Sequence, residues 1–321
     1  MTEATSTRIR VGTRGSALAR VQTDHVVEQL RRLGGGFDFE TVVITTSGDK
    51  IKDRPIAELG SLGVFVKELE DALLANEVDL VVHSLKDLPT EMPPLLALGA
   101  VLDREDPRDV LVATGGRQLR DLPAGARVAT SSRRRAAQLK AVRADLQFVD
   151  IRGNVPTRLR KLEEGGCDAI VLAAAGLKRL GLDYRISEYL EPELCTPAVG
   201  QGALAVEVRG EDTRLTALMR SLDNACVKAE VVAERALLLS LGGGCSVPIG
   251  GLARTTAAGH LDLTGCVASL DGKLVLRERL TGTKDEAEAL GTALAQQLIS
   301  LGANDILNKL KAQAPNKVSP P

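Results

Sequence analysis

Val78-Asp79-Leu80-Val81-Val82-His83-Ser84-Leu85-Lys86-Asp87-Leu88-Pro89 is the stretch on which the fold turns. Its first five residues read as a short apolar strand, Val78 to Val82, and the polar turn after it places Asp87 at the carboxyl end of that strand. Upstream, the run Arg8 to Thr13 reads as a strand. It meets a helical pattern that starts near Ser16 and carries Leu18, Val21, Val26, Val27 and Leu30 on one periodic stripe. A strand over Phe39 to Thr46 and a helix over Phe65 to Asn76 complete a β-α-β-α-β order, for which a parallel sheet is the expected result. Downstream, past Pro89, Pro93 and Pro94, a second α/β unit begins near Pro107. Its strands are Val110 to Ala113, Arg127 to Thr130, Gln147 to Asp150 and Asp168 to Ala173, with helices at Ser132 to Val142 and Pro156 to Glu164. Another loop, around Pro192 to Gly202, leads to a strand over Ala203 to Val208 and helices through Leu241. Three short strands within Val247 to Leu280 and helices from Asp285 to Lys311 then form a small α+β unit.

A chain of 321 residues has room for two or three such units, each with its own core. Its net charge of −1 provides no global field to hold it on DNA or an anionic membrane, and 2% aromatics are too few for base-stacking platforms. Five cysteines, odd in number and without a Cys-x-x-Cys pair, indicate neither a disulfide framework nor a zinc site. The opening stretch lacks the apolar segment of a secretory signal, so the cytoplasm is the expected compartment. The uncharged run Ala236 to Ala253 contains five Gly and one Pro and is unsuited to a membrane span.

Charge is uneven, however. Between Arg127 and Arg160 there are nine Lys or Arg against two acids, and the arginines gather at strand-to-helix joints. Thr130, Ser131, Ser132, Arg134 and Arg135 open one helix; Arg152, Gly153, Asn154 and Arg158 open the next; Thr13-Arg14-Gly15-Ser16 repeats the chemistry at the first joint. Helix starts offer free N–H groups and the positive end of the helix dipole, and arginine grips a carboxylate as a bidentate fork. Three such joints imply a ligand with several carboxylates or phosphates. With no Walker pattern present, carboxylates are favoured. The competing reading makes these residues ordinary caps and solvated arginines, and makes Asp87 a turn cap before Pro89. Arg143, away from the joints, reads as a neutral charge control. Cys245 differs from the other cysteines in lying within Gly242-Gly243-Gly244-Cys245-Ser246-Val247-Pro248, where absent side chains leave a thiol accessible.

Together these fragments resemble the porphobilinogen deaminase (hydroxymethylbilane synthase) family. The resemblance rests on Thr13-Arg14-Gly15-Ser16, Phe65-Val66-Lys67-Glu68, His83 to Pro89, Arg104-Glu105-Asp106-Pro107-Arg108-Asp109, Thr130 to Arg135, Arg152-Gly153-Asn154-Val155, Gly176 to Gly181, Val199-Gly200-Gln201-Gly202-Ala203 and Gly243 to Pro248. It implies a transferase of haem and chlorophyll synthesis that joins four porphobilinogen molecules head to tail with loss of ammonia, then releases hydroxymethylbilane by hydrolysis. It implies a dipyrromethane cofactor held as a thioether on Cys245, with Asp87 as the catalytic carboxylate. Cofactor contacts would come from Lys86, Asp87, Thr130, Ser131, Ser132, Arg134, Arg135, Arg152, Gly153 and Arg158, and substrate contacts from Arg14, Ser16, Phe65, Arg152, Arg158, Arg179 and Gln201. No metal, nucleic acid or membrane is implied, and a monomer is expected. The implied fold is two periplasmic-binding-protein-like α/β domains plus a small α+β domain with a three-stranded antiparallel sheet. Residues 1–104 with 203–222 would form domain 1, 105–202 domain 2, 223–314 domain 3 and 315–321 a flexible tail. One departure is that many members carry Lys shortly before the Phe-x-Lys-Glu segment, where this chain has Leu62. The alternative is a non-catalytic two-lobed receptor for a polycarboxylate, which would need neither Cys245 nor Asp87.

Overall fold

The computed structural model describes residues 7–34, 36–50, 66–243 and 247–313, so Phe65, Leu62 and Cys245 lie outside the described residues. In the first unit β1 (Thr7–Arg14), burying Ile9, Val11 and Thr13, runs parallel to β2 (Phe37–Ile44) and β3 (Leu80–Ser84). Between β1 and β2, α1 (Ala17–Arg32) turns Val26, Val27 and Leu30 into the core, and the Ser16 hydroxyl accepts the Ala19 N–H at 3.2 Å to cap its first turn. The short α2 (Ser47–Lys50) and α3 (Lys67–Leu74) precede β3, and β4 (Leu96–Val101) forms one edge.

Residues 102–108 carry the chain into a second sheet. It contains β5 (Asp109–Ala113), β6 (Arg127–Ala129), β7 (Gln147–Val149), β8 (Ala169–Ala173) and β9 (Glu188–Leu190), with α4 (Arg133–Val142), α5 (Val155–Glu163) and α6 (Ala174–Arg179) between them. Residues 191–203 then return the chain to β10 (Leu204–Arg209), which lies between β3 and β4, and to α7 (Thr213–Arg220), whose Leu215 and Met219 share a core with Val26 and Leu30.

The sheet orders are β2-β1-β3-β10-β4 and β7-β6-β8-β5-β9, giving two α/β lobes. Neither sheet is wholly parallel, which corrects the expectation for the first. β10 runs antiparallel to β3 and β4, and β5 antiparallel to β8 and β9. The reason is connectivity. β5 and β10 are the strands that receive the chain from the other lobe, so each starts at the facing edge where its neighbours end. The carboxyl ends of β1, β3, β6 and β8 therefore collect along the two facing edges, the usual place for a ligand in open α/β sheets.

The third unit begins with α8 (Ala225–Ser240) and continues with β11 (Ile249–Thr255), β12 (Leu261–Ala268) and β13 (Val275–Gly282), all antiparallel, then α9 (Ala287–Ser300) and α10 (Ala303–Gln313). Leu237, Leu263, Leu294 and Leu298 centre its aliphatic core. No described helix is long and apolar enough to cross a membrane.

Candidate active site

Asp87 closes a 3-10 turn, Leu85–Asp87, at the carboxyl end of β3, and Leu85 and Leu88 on either side are buried while Lys86 and Asp87 keep partial exposure. The returning segment passes directly behind the turn: Leu85 N–H donates to Ala203 O at 3.0 Å. Close approaches of this segment, to the turn and to the first crossing, explain two glycines. A Cβ on Gly200 would stand 2.2 Å from Leu85 Cδ2 and one on Gly202 2.2 Å from Glu105 O, and both residues have positive φ, +71° and +91°.

Across the cleft, α4 and α5 present their first turns. Ser132 Oγ accepts the Arg135 N–H at 3.4 Å and Asn154 Oδ1 accepts the Thr157 N–H at 3.0 Å, so the capping reading holds for these side chains. Thr130 Oγ1 accepts from Ser132 N–H at 3.2 Å, and Ser131 Oγ donates to Ile151 O. Ser16, as noted, caps α1, and Arg14 ends β1.

The adjacent arginines of α4 part company. Arg134, with 5% of its side chain exposed, gives Nη1 to Asp109 Oδ2 at 2.6 Å and Thr196 O at 2.7 Å. Arg135 gives Nε to Asp109 Oδ1 at 2.9 Å, Nη1 to Val171 O at 3.0 Å, and reaches Gln201 Oε1 at 3.5 Å. Gln201 Nε2 in turn donates to Asp109 Oδ1 at 2.9 Å and Pro107 O at 2.7 Å. Burial alone would raise the Asp109 pKa, but Arg134 and Arg135 hold it well below the ordinary carboxylate range. One buried carboxylate thus answers two guanidinium groups.

Arg158, Lys86 and Arg179 are poorly compensated. Burial, with Arg135 and Arg152 as like charges, lowers Arg158 to about 10; its Nε is held on Gly153 O at 2.8 Å. Burial lowers Lys86 to about 8 and Arg179 to about 10, the latter donating Nη2 to Gly202 O at 2.7 Å. Arg152 pairs with Asp150 at 3.2 Å. Asp87 acts through space on both Lys86 of its own lobe and Arg158 of the other. Sunk cations short of counter-charge, drawn from both lobes, are the donor set that a ligand bearing several carboxylates requires, so the residues present fit a dipyrromethane.

Sequence reasoning missed four residues: Asp109, the Arg104–Glu234 ion pair at 2.6 Å, and Arg235. Asp109 and Arg104 lie inside a quoted motif, but nothing in their spacing reveals the partners, which come from distant segments. Arg143 is no neutral control: it donates to Leu119 O at 2.7 Å and Leu122 O at 3.0 Å and pairs with Asp145 at 2.7 Å, pinning the segment before β6.

Two α/β lobes joined by two crossings, with cations lining the cleft between them and a third unit packed against them, define a class of proteins suited to binding a small polyanion. Within it, the profile described as "Porphobilinogen deaminase, dipyromethane cofactor binding domain" matches residues 9–217, and "Porphobilinogen deaminase, C-terminal domain" matches residues 228–300. A porphobilinogen deaminase of Desulforudis audaxviator is 50% identical over 95% of this chain and 98% of its own length. One of Carboxydothermus hydrogenoformans is 47% identical over 95% and 97%, and one of Bacillus pumilus 46% over 94% and 97%. The chain belongs to the porphobilinogen deaminase family. It is a transferase of tetrapyrrole synthesis with a dipyrromethane cofactor, which condenses four porphobilinogen molecules to hydroxymethylbilane, and the receptor alternative falls away.

Proposed function

We propose that Asp87 does the acid–base and charge-balancing work of this reaction, and that Cys245 is the residue to which the dipyrromethane is joined. The observation that carries the first part is the position of Asp87, a carboxylate on a short turn whose charge acts on Lys86 beside it and on Arg158 across the cleft. When bound, the dipyrromethane supplies a nucleophilic pyrrole carbon at which condensation starts. The protein's part is to orient carboxylates and to handle charge. Lys86, Arg152, Arg158 and Arg179 hold the acetate and propionate groups of pyrrole units, with Arg14 and Ser16 at the β1 joint and Arg135 and Gln201 behind them. Arg134, committed to Asp109 and Thr196 O, supports Arg135 from beneath. As ammonia leaves porphobilinogen, positive charge grows on its pyrrole nitrogen. Asp87 lies where that charge develops and can accept the proton released when the new carbon–carbon bond restores aromaticity. The protein acts as a monomer in the cytoplasm on this reading.

The deciding experiment compares cofactor-loaded Asp87→Asn with wild type at saturating porphobilinogen. An amide keeps the shape and cannot exchange a proton or hold charge, so turnover should fall about 10²- to 10⁴-fold with the fold intact. Intact mass should show a two-pyrrole adduct on wild type that Cys245→Ser lacks. Near-wild-type turnover in Asp87→Asn would return Asp87 to a capping role, and an adduct surviving on Cys245→Ser would move the attachment site.

A further inference from the structure

Arg235 stands apart from the cleft cations, on α8, the helix whose carboxyl end leads toward Cys245. Its guanidinium donates to three successive carbonyls: Nη1 to Leu88 O at 3.3 Å, Nη2 to Pro89 O at 2.6 Å and to Thr90 O at 3.0 Å. Those residues are the exit of the Leu85–Asp87 turn, which Leu88 N–H closes on Leu85 O at 3.1 Å. Pro89 has no N–H to donate and restricts Leu88 before it, which breaks a regular strand ladder here, and the carbonyls of this backbone are met by a side chain instead.

The arrangement is a poor one for stability alone. Burial lowers the Arg235 pKa, and the carboxylate that opposes this from a distance, Glu207, is already bonded to His83 Nε2 at 3.0 Å. A half-buried guanidinium with carbonyls as its hydrogen-bond partners keeps much of its desolvation cost, while what it secures is the direction of a backbone segment. The rest of α8 serves the same end. Val227 and Val231 precede Arg235 at four-residue steps on one helix face, and they pack in the same cluster as Leu85 and Leu88, the two residues that flank Lys86 and Asp87. The neighbouring Glu234 fixes α8 itself, accepting from Arg104 Nη1 at 2.6 Å, Gly200 N–H at 2.6 Å and Ala253 N–H at 2.8 Å.

We infer that Arg235 is a positioning residue for the reaction: by holding the Leu88–Thr90 carbonyls it sets the Asp87 carboxylate at a fixed place relative to the helix that leads to Cys245. The inference rests on the reading of Asp87 as the catalytic carboxylate. Lysine cannot stand in, because one ammonium on a flexible stem lacks the planar fork that spans the three oxygens.

The test uses cofactor-loaded Arg235→Lys and Arg235→Ala, checked for full loading by intact mass. A displaced carboxylate should lower kcat at least about tenfold while KM stays within about twofold, and added ethylguanidinium should restore kcat of Arg235→Ala. In an Asp87→Glu background, where the carboxylate is already misplaced, the Arg235→Lys factor should shrink toward one. An undiminished factor in that background, or a loss carried by melting temperature and loading instead of kcat, would make Arg235 a structural residue only and overturn the inference. Arg235 variants that keep wild-type kcat while Asp87→Asn is inactive would also overturn it and leave the Asp87 reading standing. An active Asp87→Asn would instead bring down the reading beneath.

Discussion

Lys86 owes its low pKa, about 8, first to burial and then to Arg135 and Arg134, with Asp87 and Asp109 opposing. In a cleft without an anion its charge is therefore half lost at pH 8. A carboxylate arriving beside it favours the ammonium and lifts the pKa back toward the ordinary 10.5, so binding must take up protons, roughly 0.5 per site at pH 8. The sign follows. Below about pH 7 the lysine is already charged and uptake vanishes, and as pH rises through 8 affinity falls, because each binding event has to protonate a neutral amine. Titration calorimetry of Cys245→Ser protein with porphobilinogen, in two buffers of different ionisation enthalpy, reads this directly, and Lys86→Arg should abolish it. Zero uptake at pH 8 would remove Lys86 from the carboxylate-binding set. Apart from the resemblance, nothing in the order of residues distinguishes Lys86 from an ordinary turn lysine; its environment comes from burial, from Asp87 beside it and from Arg135, Asp109 and Arg134 in the other lobe. The same distance separates Arg134 from Arg135. The two look equivalent as neighbours, yet successive helix positions point about 100° apart, and only the fold puts Thr196 O beside one and Gln201 beside the other.

The starts of α4 and α5 are legible as arginine-bearing helix starts because a capping side chain and arginines sit within one turn of each, with Pro156 added in α5, a local pattern that needs no knowledge of the rest. That pattern also supplies a controlled comparison. Arg158→Leu should lower kcat/KM about 10- to 150-fold, the range expected from losing one charge-assisted hydrogen bond of about 1.5–3 kcal/mol. Arg133→Leu removes the same charge from the first turn of the neighbouring helix, where the side chain is exposed, and should stay within about twofold. Equal losses in steady-state kinetics would mean that a diffuse basic surface, and no local grip, serves the substrate. The elements that resisted reading are short or depend on remote partners. β9 has three residues and α6 six, below the length at which either period shows, and β4 follows three prolines and includes Gly99. The antiparallel setting of β5 and β10 is a property of the two crossings between lobes. A β-α-β order cannot express it, because neither strand pairs with the strand just before it in a β-α-β unit.

At the scale of the molecule, the two lobes meet with cations on both sides, Lys86 from one and Arg135, Arg152, Arg158 and Arg179 from the other, while most described carboxylates near them are already committed to ion pairs. What holds the lobes in place is peripheral to that cleft. Arg104 ties the first crossing to Glu234 of α8, Arg277 of β13 reaches Thr196 Oγ1 at 3.1 Å and Gln138 Oε1 at 3.1 Å, and the loop at Gly272 packs against Lys140 of α4. The third unit is thus a brace touching both lobes, working against like-charge repulsion at the centre. An anion lodged in the cleft should relieve that repulsion and raise stability by mass action, by about 1.4 kcal/mol at ten times its dissociation constant, which is a few degrees of melting temperature in a chain of this size. Cys245→Ser protein, which lacks the adduct if Cys245 is its attachment site as proposed, should therefore melt several degrees higher in sulfate or phosphate than in chloride at matched ionic strength. Fully loaded wild type, its cleft already supplied with carboxylates, should gain only the general salt effect. Arg158→Leu in the Cys245→Ser background should lose part of the specific gain, since one of the repelling charges is gone. Scanning calorimetry on the three proteins decides the matter: equal anion responses in loaded and unloaded protein would mean that the cleft cations are well solvated and that charge repulsion between the lobes does not shape the unloaded state.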